Sequence, residues 1–290
     1  MNNILDLIGN TPLIQLLGFE KKYSINAELF AKIEYLNPFG SIKDRVALQI
    51  INDAEKEGRL TRPATVIEAT SGNLGIALSA VSLLKGYCSH LVMPNNTSLK
   101  KLRMIESFGA NITLTDVKKG MQGAIEKACE ICKNTPCSYY VDQFNNYSSI
   151  SAHRNSTAPE IINQMHNNID IIITGIGSGG TISGIAEHFK EIKHPARIIG
   201  VLPSSFPHNI QGIGAGFVPQ ILRNDLIDEI IKIDDKDAYK CANRLSNSDA
   251  LYIGPSSGAV LAAAIKLSDL QENYGKKILM IFADGGERYI

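Results

Sequence analysis

The chain has 290 residues, of which 44% are hydrophobic and 20% are charged, so it can form one large or two medium domains with a real core. Its 29 Lys and Arg residues balance its 29 Asp and Glu residues. This zero net charge argues against a nucleic-acid surface, which needs an excess of basic residues. No apolar run approaches the roughly 20 residues that span a bilayer, so we expect no membrane association.

Strand-like and helix-like patterns alternate along almost the whole chain. Short apolar runs predict strands over 28–34, 65–68, 91–93, 111–115, 138–141, 169–174, 197–201 and 277–282, and helical periodicity predicts helices over 44–57, 74–85, 98–108, 121–133, 181–192, 235–245 and 257–270. This alternation is typical of an α/β fold with mostly parallel sheets, and the length favours two domains. The sequence turns polar near 141–155, where we expect a domain boundary.

Lys43 stands where an apolar strand gives way to an amphipathic helix, behind the Asn-Pro-Phe-Gly turn at 37–40. A lysine is unfavourable at the start of a helix because that end carries partial positive charge. Such a conflict between local preference and position is expected at functional sites. We therefore expect the Lys43 amine to be held where a small molecule can reach it.

The glycine-rich segment 175–181, Gly-Ile-Gly-Ser-Gly-Gly-Thr, follows a β-branched strand and opens a helix. Its backbone N–H groups can converge at the positive end of the helix, so a phosphate group is the expected ligand. Gly175, Gly177 and Gly180 also fit a dinucleotide-binding fingerprint. The next strand ends at Val201 without an acidic residue for a ribose, which favours a lone phosphate. A nucleotide-dependent oxidoreductase and a purely structural turn are the alternatives.

Two further turns also lead from strands into helices. Segment 70–75, Thr-Ser-Gly-Asn-Leu-Gly, offers donors that suit a carboxylate, and segment 254–258, Gly-Pro-Ser-Ser-Gly, offers hydroxyl groups. Each is also compatible with ordinary helix capping. A reactive amine combined with a phosphate-binding loop suggests an aldehyde cofactor that carries a phosphate, which is pyridoxal 5′-phosphate.

The five cysteines are sparse, and Cys129 and Cys132 form a C-x-x-C pair. This pair falls within a helical pattern, without a second pair or a nearby histidine, so we expect no metal site. The absence of a recognisable signal peptide and the odd cysteine count indicate reduced thiols in the cytoplasm.

In their order along the chain, these segments resemble the cysteine synthase family within the fold type II pyridoxal-phosphate enzymes, a group that includes cystathionine β-synthases. The resemblance runs nearly end to end through segments 8–13 (Ile-Gly-Asn-Thr-Pro-Leu), 37–45, 70–75, 143–145 (Gln-Phe-Asn), 157–161 (Thr-Ala-Pro-Glu-Ile), 175–181, 210–217, 256–258 and 286–289 (Gly-Glu-Arg-Tyr). It implies a smaller domain over 36–142, a larger domain over 1–35 and 143–290, each a twisted, mostly parallel sheet flanked by helices, and the cofactor in the cleft between them.

The resemblance also implies a role for each matching residue. Lys43 would hold the cofactor covalently and act as an acid and base. Asn73 would bind the ring hydroxyl of the cofactor, and Ser256 would face its pyridine nitrogen. The phosphate loop would comprise Gly177, Ser178, Gly179, Gly180 and Thr181, and the substrate-binding positions would be Thr70, Ser71, Gly72, Leu74, Gln143 and Gly214.

The implied activity is a β-replacement, most directly the conversion of O-acetyl-L-serine and sulfide to L-cysteine and acetate. Release of hydrogen sulfide from cysteine and formation of cystathionine are alternatives with the same chemistry, and a non-catalytic binder is an alternative from another class. The resemblance further implies a homodimer and a serine acetyltransferase as a partner.

Three departures from the family pattern bear on the substrate. Position 74 is Leu74, where the family usually has a threonine, and segment 202–209 is shorter than in many relatives. Asp142 and Pro255 replace more usual neighbours of site positions. Because a leucine side chain has no hydrogen-bond donor, recognition of a carboxylate must depend on other groups. The chain also ends soon after 286–289, so we expect it to lack the C-terminal extension common in relatives.

Overall fold

The computed structural model describes residues 3–289 and contains ten strands in two sheets within that range. The strands are Leu13–Gln15 (β1), Glu28–Ile33 (β2), Thr65–Ala69 (β3), Cys88–Pro94 (β4), Asn111–Thr115 (β5), Ser138–Tyr140 (β6), Ile171–Gly175 (β7), Arg197–Pro203 (β8), Glu229–Ile233 (β9) and Lys277–Phe282 (β10). The larger sheet has the order β1-β2-β10-β7-β8-β9, and the smaller has the order β5-β4-β3-β6. All neighbouring pairs are parallel except β1 and β2.

Helices cover both sheets, which confirms the predicted α/β class. They are Leu17–Tyr23 (α1), Lys43–Lys56 (α2), Asn73–Lys85 (α3), Leu99–Ser107 (α4), Gly120–Asn134 (α5), Ser148–Ala152 (α6), Ala158–Gln164 (α7), Gly180–Glu191 (α8), Asp235–Asp249 (α9) and Pro255–Ser268 (α10). Among residues 3–289, no helix combines the length and apolarity needed to cross a bilayer.

The structure contains elements that the sequence patterns did not predict. These are β1, α1, β9, and a helical run in which a π-helical turn, His153–Thr157, joins α6 to α7. The run starts inside the polar segment that we expected to be a boundary, yet Ser149 and His153 of that segment are fully buried. Their polarity did not imply exposure, because such side chains find partners inside the protein, as Thr157 does with His153 at 2.9 Å.

The strands divide between the sheets in a way that supports two domains. All four strands of the smaller sheet, β3 to β6, lie within 36–142, and the larger sheet takes β1 and β2 before that range and β7 to β10 after it. We therefore propose 36–142 as one domain and 1–35 with 143–290 as the other. The proposed boundary falls within the polar segment, and helix α6 of that segment packs against both α2 and α8, so the segment is folded between the two proposed domains.

A buried network of charges fixes the start of α2. Arg45 contacts Glu34 at 2.7 Å and Glu160 at 2.6 Å, and Lys32 on β2 contacts Glu160 at 2.7 Å. Burial alone would raise the pKa of Glu34, but the Arg45 guanidinium outweighs it and holds that pKa below its ordinary value. Since removing one partner would leave a buried charge unpaired, the network locks α2 against the larger sheet.

Candidate active site

A cavity of about 390 Å³ lies at the carboxyl ends of β3, β4, β7 and β10, where the two sheets meet. Ligands of parallel α/β sheets bind at this edge. The predicted site residues that line the cavity are Lys43, Thr70, Ser71, Asn73, Leu74, Gln143, Gly177, Ser178, Gly179, Thr181, Gly214 and Ser256. Gly72 and Gly180 are not among the described lining residues. Both lie just behind the wall, against Lys101 and Ser149 respectively.

Lys43 is the first residue of α2, and the turn before it is tied to the end of β10. The Ile42 N–H donates to the Ala283 carbonyl oxygen at 2.9 Å, and Ser41 forms a bridge with Asp284. Burial lowers the pKa of Lys43 to about 8, although the nearby Asp284 carboxylate acts in the opposite direction. A substantial fraction of this amine is therefore neutral near pH 8, and the neutral form is the nucleophile.

The glycine loop before α8 is built by close backbone packing. Gly179 has a φ of +87° at the N-terminal end of the helix. A β-carbon on Gly177 would lie 2.4 Å from the carbonyl oxygen of Gly212, and one on Gly180 would lie 2.8 Å from that of Ser149. The first N–H groups of α8 have no acceptor within the helix. The loop lines the cavity, so these donors suit a phosphate.

A histidine that the sequence patterns missed supports this loop. The hydroxyl oxygen of Thr181 lies 3.2 Å from Nε2 of His153, and Nδ1 of His153 lies 2.9 Å from the hydroxyl oxygen of Thr157. Burial lowers the pKa of His153 well below its ordinary value, so the ring is neutral. The chain of hydrogen bonds orients the Thr181 hydroxyl at the loop.

Opposite this loop, the 70–75 segment forms a second helix start. Gly72 has a φ of +144°, which favours glycine, and its N–H donates to the Thr70 hydroxyl oxygen at 3.2 Å. Asn73 donates from Nδ2 to Oδ2 of Asp284 at 2.6 Å and accepts from Nη1 of Arg288 at 2.9 Å. Asn73 also acts on the Tyr289 hydroxyl through a side-chain hydrogen bond, so its amide belongs to a polar cluster in the cavity wall.

Asp284 is a buried carboxylate in the cavity wall that we did not predict. Its Oδ2 atom accepts from Asn73 and from the Tyr289 hydroxyl, whereas Oδ1 has no hydrogen-bond partner within the described part of the chain. Burial raises the pKa of Asp284, and these two hydrogen bonds oppose the rise. Asp284 could have been predicted from its position directly after the 277–282 strand, because ligand-binding residues gather at the carboxyl ends of parallel strands.

Gln143 lines the cavity, but its donors point away from it. Nε2 donates to Oε1 of Glu68 and to the Ala69 carbonyl oxygen, both at 3.1 Å. A glutamine amide has two N–H donors, so both are engaged and the side chain has only its own Oε1 to offer a ligand. Burial raises the pKa of Glu68 to about 8.

Ser256 and the phosphate loop are linked by Gly212. Ser256 lies in the first turn of α10, and a β-carbon on Gly212 would be 3.5 Å from its hydroxyl oxygen. Gly214 has a φ of +66°, and its carbonyl oxygen is hydrogen-bonded to His208 at 3.0 Å. Segment 202–209 thus supports the cavity wall through His208.

The residues fit a phosphorylated aldehyde. The cavity brings together an amine of lowered pKa, a backbone cradle that side chains would fill, a neutral hydroxyl and an amide donor. Among residues 3–289, no group of three His, Cys, Asp or Glu side chains is arranged to hold a metal ion. Cys129 and Cys132 lie on α5 as the pattern predicted, and both are free.

Comparisons with known proteins agree with this geometry. The family described as pyridoxal-phosphate dependent enzyme matches residues 4–284. Cysteine synthase B of Campylobacter jejuni is 44% identical over 98% of this chain and 95% of its own length. An O-acetylserine sulfhydrylase isoform of Entamoeba histolytica is 40% identical with a TM-score of 0.94 over 100% of this chain and 90% of its own. A hydrogen sulfide-producing enzyme of Fusobacterium nucleatum is 36% identical with a TM-score of 0.95 over 100% of both chains.

The chain belongs to the pyridoxal-phosphate dependent enzymes, within the cysteine synthase family. Its cofactor is pyridoxal 5′-phosphate, which confirms the prediction from the lysine and the glycine loop.

Proposed function

We propose that this enzyme makes L-cysteine and acetate from O-acetyl-L-serine and sulfide. The observation that carries the proposal is the position of Lys43, whose amine shares one cavity with the glycine loop and the 70–75 segment. This chain covers 95% and 92% of the lengths of two relatives that are named as cysteine synthases, which supports the same activity.

We assign the cofactor contacts to this chain's own residues. When bound, pyridoxal phosphate supplies an electrophilic carbon and an electron sink. Lys43 would hold the cofactor covalently, and the loop N–H groups with the Thr181 hydroxyl would bind its phosphate. The Asn73 amide would bind the ring hydroxyl, and Ser256 would serve the ring nitrogen.

Lys43 also moves the proton of the substrate. Its amine has a pKa of about 8, close to the working pH at which a general base is most effective. Once the amine of the substrate had replaced it on the cofactor, the neutral Lys43 amine would take the proton from the α-carbon while the β-acetoxy group leaves as acetate, and it would return a proton to that carbon after sulfide has added at the β-carbon. Ser256 has a neutral hydroxyl that does not keep a proton on the ring nitrogen, which favours prompt loss of the leaving group over transamination.

A second candidate is release of hydrogen sulfide from cysteine. Leu74 and the short 202–209 segment depart from the usual cysteine synthase pattern, and the hydrogen sulfide-producing enzyme of Fusobacterium nucleatum matches over the full length of both chains. The same residues carry both reactions, because each begins with removal of the α-proton and loss of a β-group.

Product analysis separates the two candidates. Cofactor-loaded protein is supplied with O-acetylserine and sulfide, with serine and homocysteine, or with cysteine alone, and each product is quantified. We expect cysteine from the first mixture as the fastest reaction, and a loss of about 1,000-fold in Lys43→Ala. Faster sulfide release from cysteine than cysteine synthesis would overturn the proposal in favour of the second candidate.

We further propose that the enzyme acts in the cytoplasm as a homodimer. All five cysteines are free thiols, which supports a reducing compartment such as the cytoplasm. The family resemblance supports a homodimer and a serine acetyltransferase partner. Light scattering of the purified protein, and a pull-down with the acetyltransferase of the same organism, test these two points.

A further inference from the structure

Two side-chain donors that the family resemblance implies for the substrate carboxylate are not available in this protein. Leu74 occupies the position of the usual threonine and presents only an apolar side chain to the cavity. Both N–H groups of Gln143 are engaged by Glu68 and Ala69. If the substrate binds against the 70–75 segment, another cationic or N–H group must meet its negative charge.

Lys101 is a buried lysine at this place. It belongs to α4, is 4% exposed and lines the cavity. A β-carbon on Gly72 would lie 2.5 Å from its Cδ atom and 3.3 Å from its Nζ atom. The ammonium group therefore lies directly against the middle of the 70–75 segment.

The partners of Lys101 leave its charge available. Nζ donates to Oε1 of Gln211 at 3.1 Å and lies 4.5 Å from the centre of the Tyr289 ring. Both partners are uncharged, and an ammonium group has three donors. Burial lowers the pKa of Lys101, the Asp284 carboxylate opposes that shift, and Arg288 adds to it. Among the described residues, Asp284 accepts hydrogen bonds from Asn73 and Tyr289 through Oδ2, and its Oδ1 atom has no partner, so Lys101 is not hydrogen-bonded to it.

We propose that Lys101 binds the α-carboxylate of the amino-acid substrate, in place of the hydroxyl that Leu74 lacks. The carboxylate lies between the Lys101 ammonium group and the donors of Ser71 and the 70–75 backbone. The Lys101–Gln211 hydrogen bond holds the ammonium in position, because it joins α4 to the segment that carries Gly212 and Gly214. This inference rests on an amino acid being the substrate, but not on which β-group leaves.

The test compares two ligands that differ only in the carboxylate and have no β-leaving group. L-Alanine and L-alaninamide are titrated calorimetrically into cofactor-loaded wild type, Lys101→Met, Lys101→Gln and Lys101→Arg. We expect wild type to prefer alanine, and the Met and Gln variants to lose about 10- to 100-fold of alanine affinity with alaninamide binding unchanged. Lys101→Arg retains part of the preference because it keeps the charge.

Lys100→Met is the matched control, since Lys100 is exposed and precedes Lys101 on the same helix. It should keep the wild-type preference, and unfolding midpoints identify variants that fail to fold. An unchanged preference in folded Lys101→Met, or an equal loss for both ligands, would overturn the proposal. These binding ratios do not depend on turnover, so they stand even if wild type makes no cysteine.

Discussion

The two walls of the cavity are built in different ways. The wall at the start of α8 consists mainly of backbone, with Gly177 and Gly180 packed closely against the carbonyl oxygens of Gly212 and Ser149. The wall at the start of α3 consists mainly of charged and polar side chains that bond to one another. There, Asn73 bonds to Asp284 and Arg288, and buried oxygens of Asp284 and Glu68 have no partner within the described residues.

The two kinds of wall suit the two groups that they would bind, a phosphate at the start of α8 and an amino acid at the start of α3. A phosphate keeps the same shape and charge through the reaction, so a rigid backbone cradle serves it. An amino-acid substrate brings new charges and changes them during turnover, and unpaired buried groups can take new partners without breaking existing ones. Substitutions should therefore disturb the first wall, at the start of α8, by changing its shape. They should disturb the second wall, at the start of α3, by changing its charge.

Gly177→Ala is expected to have the largest effect on cofactor binding. Its β-carbon would lie 2.4 Å from a backbone oxygen, so the loop must move, and we expect cofactor affinity to fall about 10- to 100-fold. Equilibrium dialysis against pyridoxal phosphate measures this change.

Gly275→Ala is the control for that experiment. A β-carbon on Gly275 would meet no atom within 4 Å, although its φ is +71°. It should cost about 1 kcal/mol of stability and leave cofactor affinity unchanged. Equal losses of affinity in the two variants would show that the phosphate wall is not distinguished by its close packing.

The same difference explains what could be predicted from the sequence. Lys43 and the glycine loop were predictable because strand, turn and helix signals follow one another along the chain. The partners of Asn73 were not, since Asp284 lies 211 positions away and is placed by the docking of β10. The short strand β1 and the exposed, edge-lying β9 were missed because neither shows the apolar run expected of a buried strand.

The orientation of side chains also could not be predicted from the sequence. The resemblance placed Gln143 near the substrate carboxylate, and the structure places it in the cavity wall with both donors engaged by Glu68 and Ala69. No local pattern indicates which way an amide points. Lys101 was missed for a related reason, because a lysine within an amphipathic helix normally extends into solvent.

Asp284→Asn tests whether the charge of the second wall sets the pKa of Lys43. Wild-type protein without cofactor should capture pyridoxal phosphate faster as pH rises, with a midpoint near the Lys43 pKa of about 8, because only the neutral amine reacts. The Asp284 carboxylate favours the protonated amine and raises that pKa. Its removal should therefore move the midpoint to lower pH, by about half a unit to one unit.

Stopped-flow absorbance at several pH values gives these midpoints. The asparagine side chain of Asp284→Asn would keep an oxygen that can accept from Tyr289, so the variant changes charge more than shape. Asp269→Asn, an exposed substitution at the end of α10, should leave the midpoint in place. A midpoint that stays the same or rises in Asp284→Asn would contradict an electrostatic link between the two residues.

Glu68→Gln should leave the reacting groups in place, and it acts on stability. Burial raises the pKa of Glu68 from 4.5 to about 8 in the folded protein, so folding favours the protonated form. Its contribution to stability is complete below pH 4.5 and is lost as pH rises toward 8. Glutamine stays neutral and can still accept a hydrogen bond from Gln143, so the stability of the variant relative to wild type should rise by about 3 kcal/mol between about pH 5 and pH 8.

Urea unfolding at about pH 5 and pH 8 measures that gain. Glu130→Gln is the control, because Glu130 is exposed on α5 and bonds only to the exposed Lys127 among the described residues, and its stability difference from wild type should not change with pH. A Glu68→Gln difference that is equally independent of pH would mean that this carboxyl is ionised at both pH values. The second wall would then hold a permanent charge behind Gln143, instead of a group that ionises within the working range.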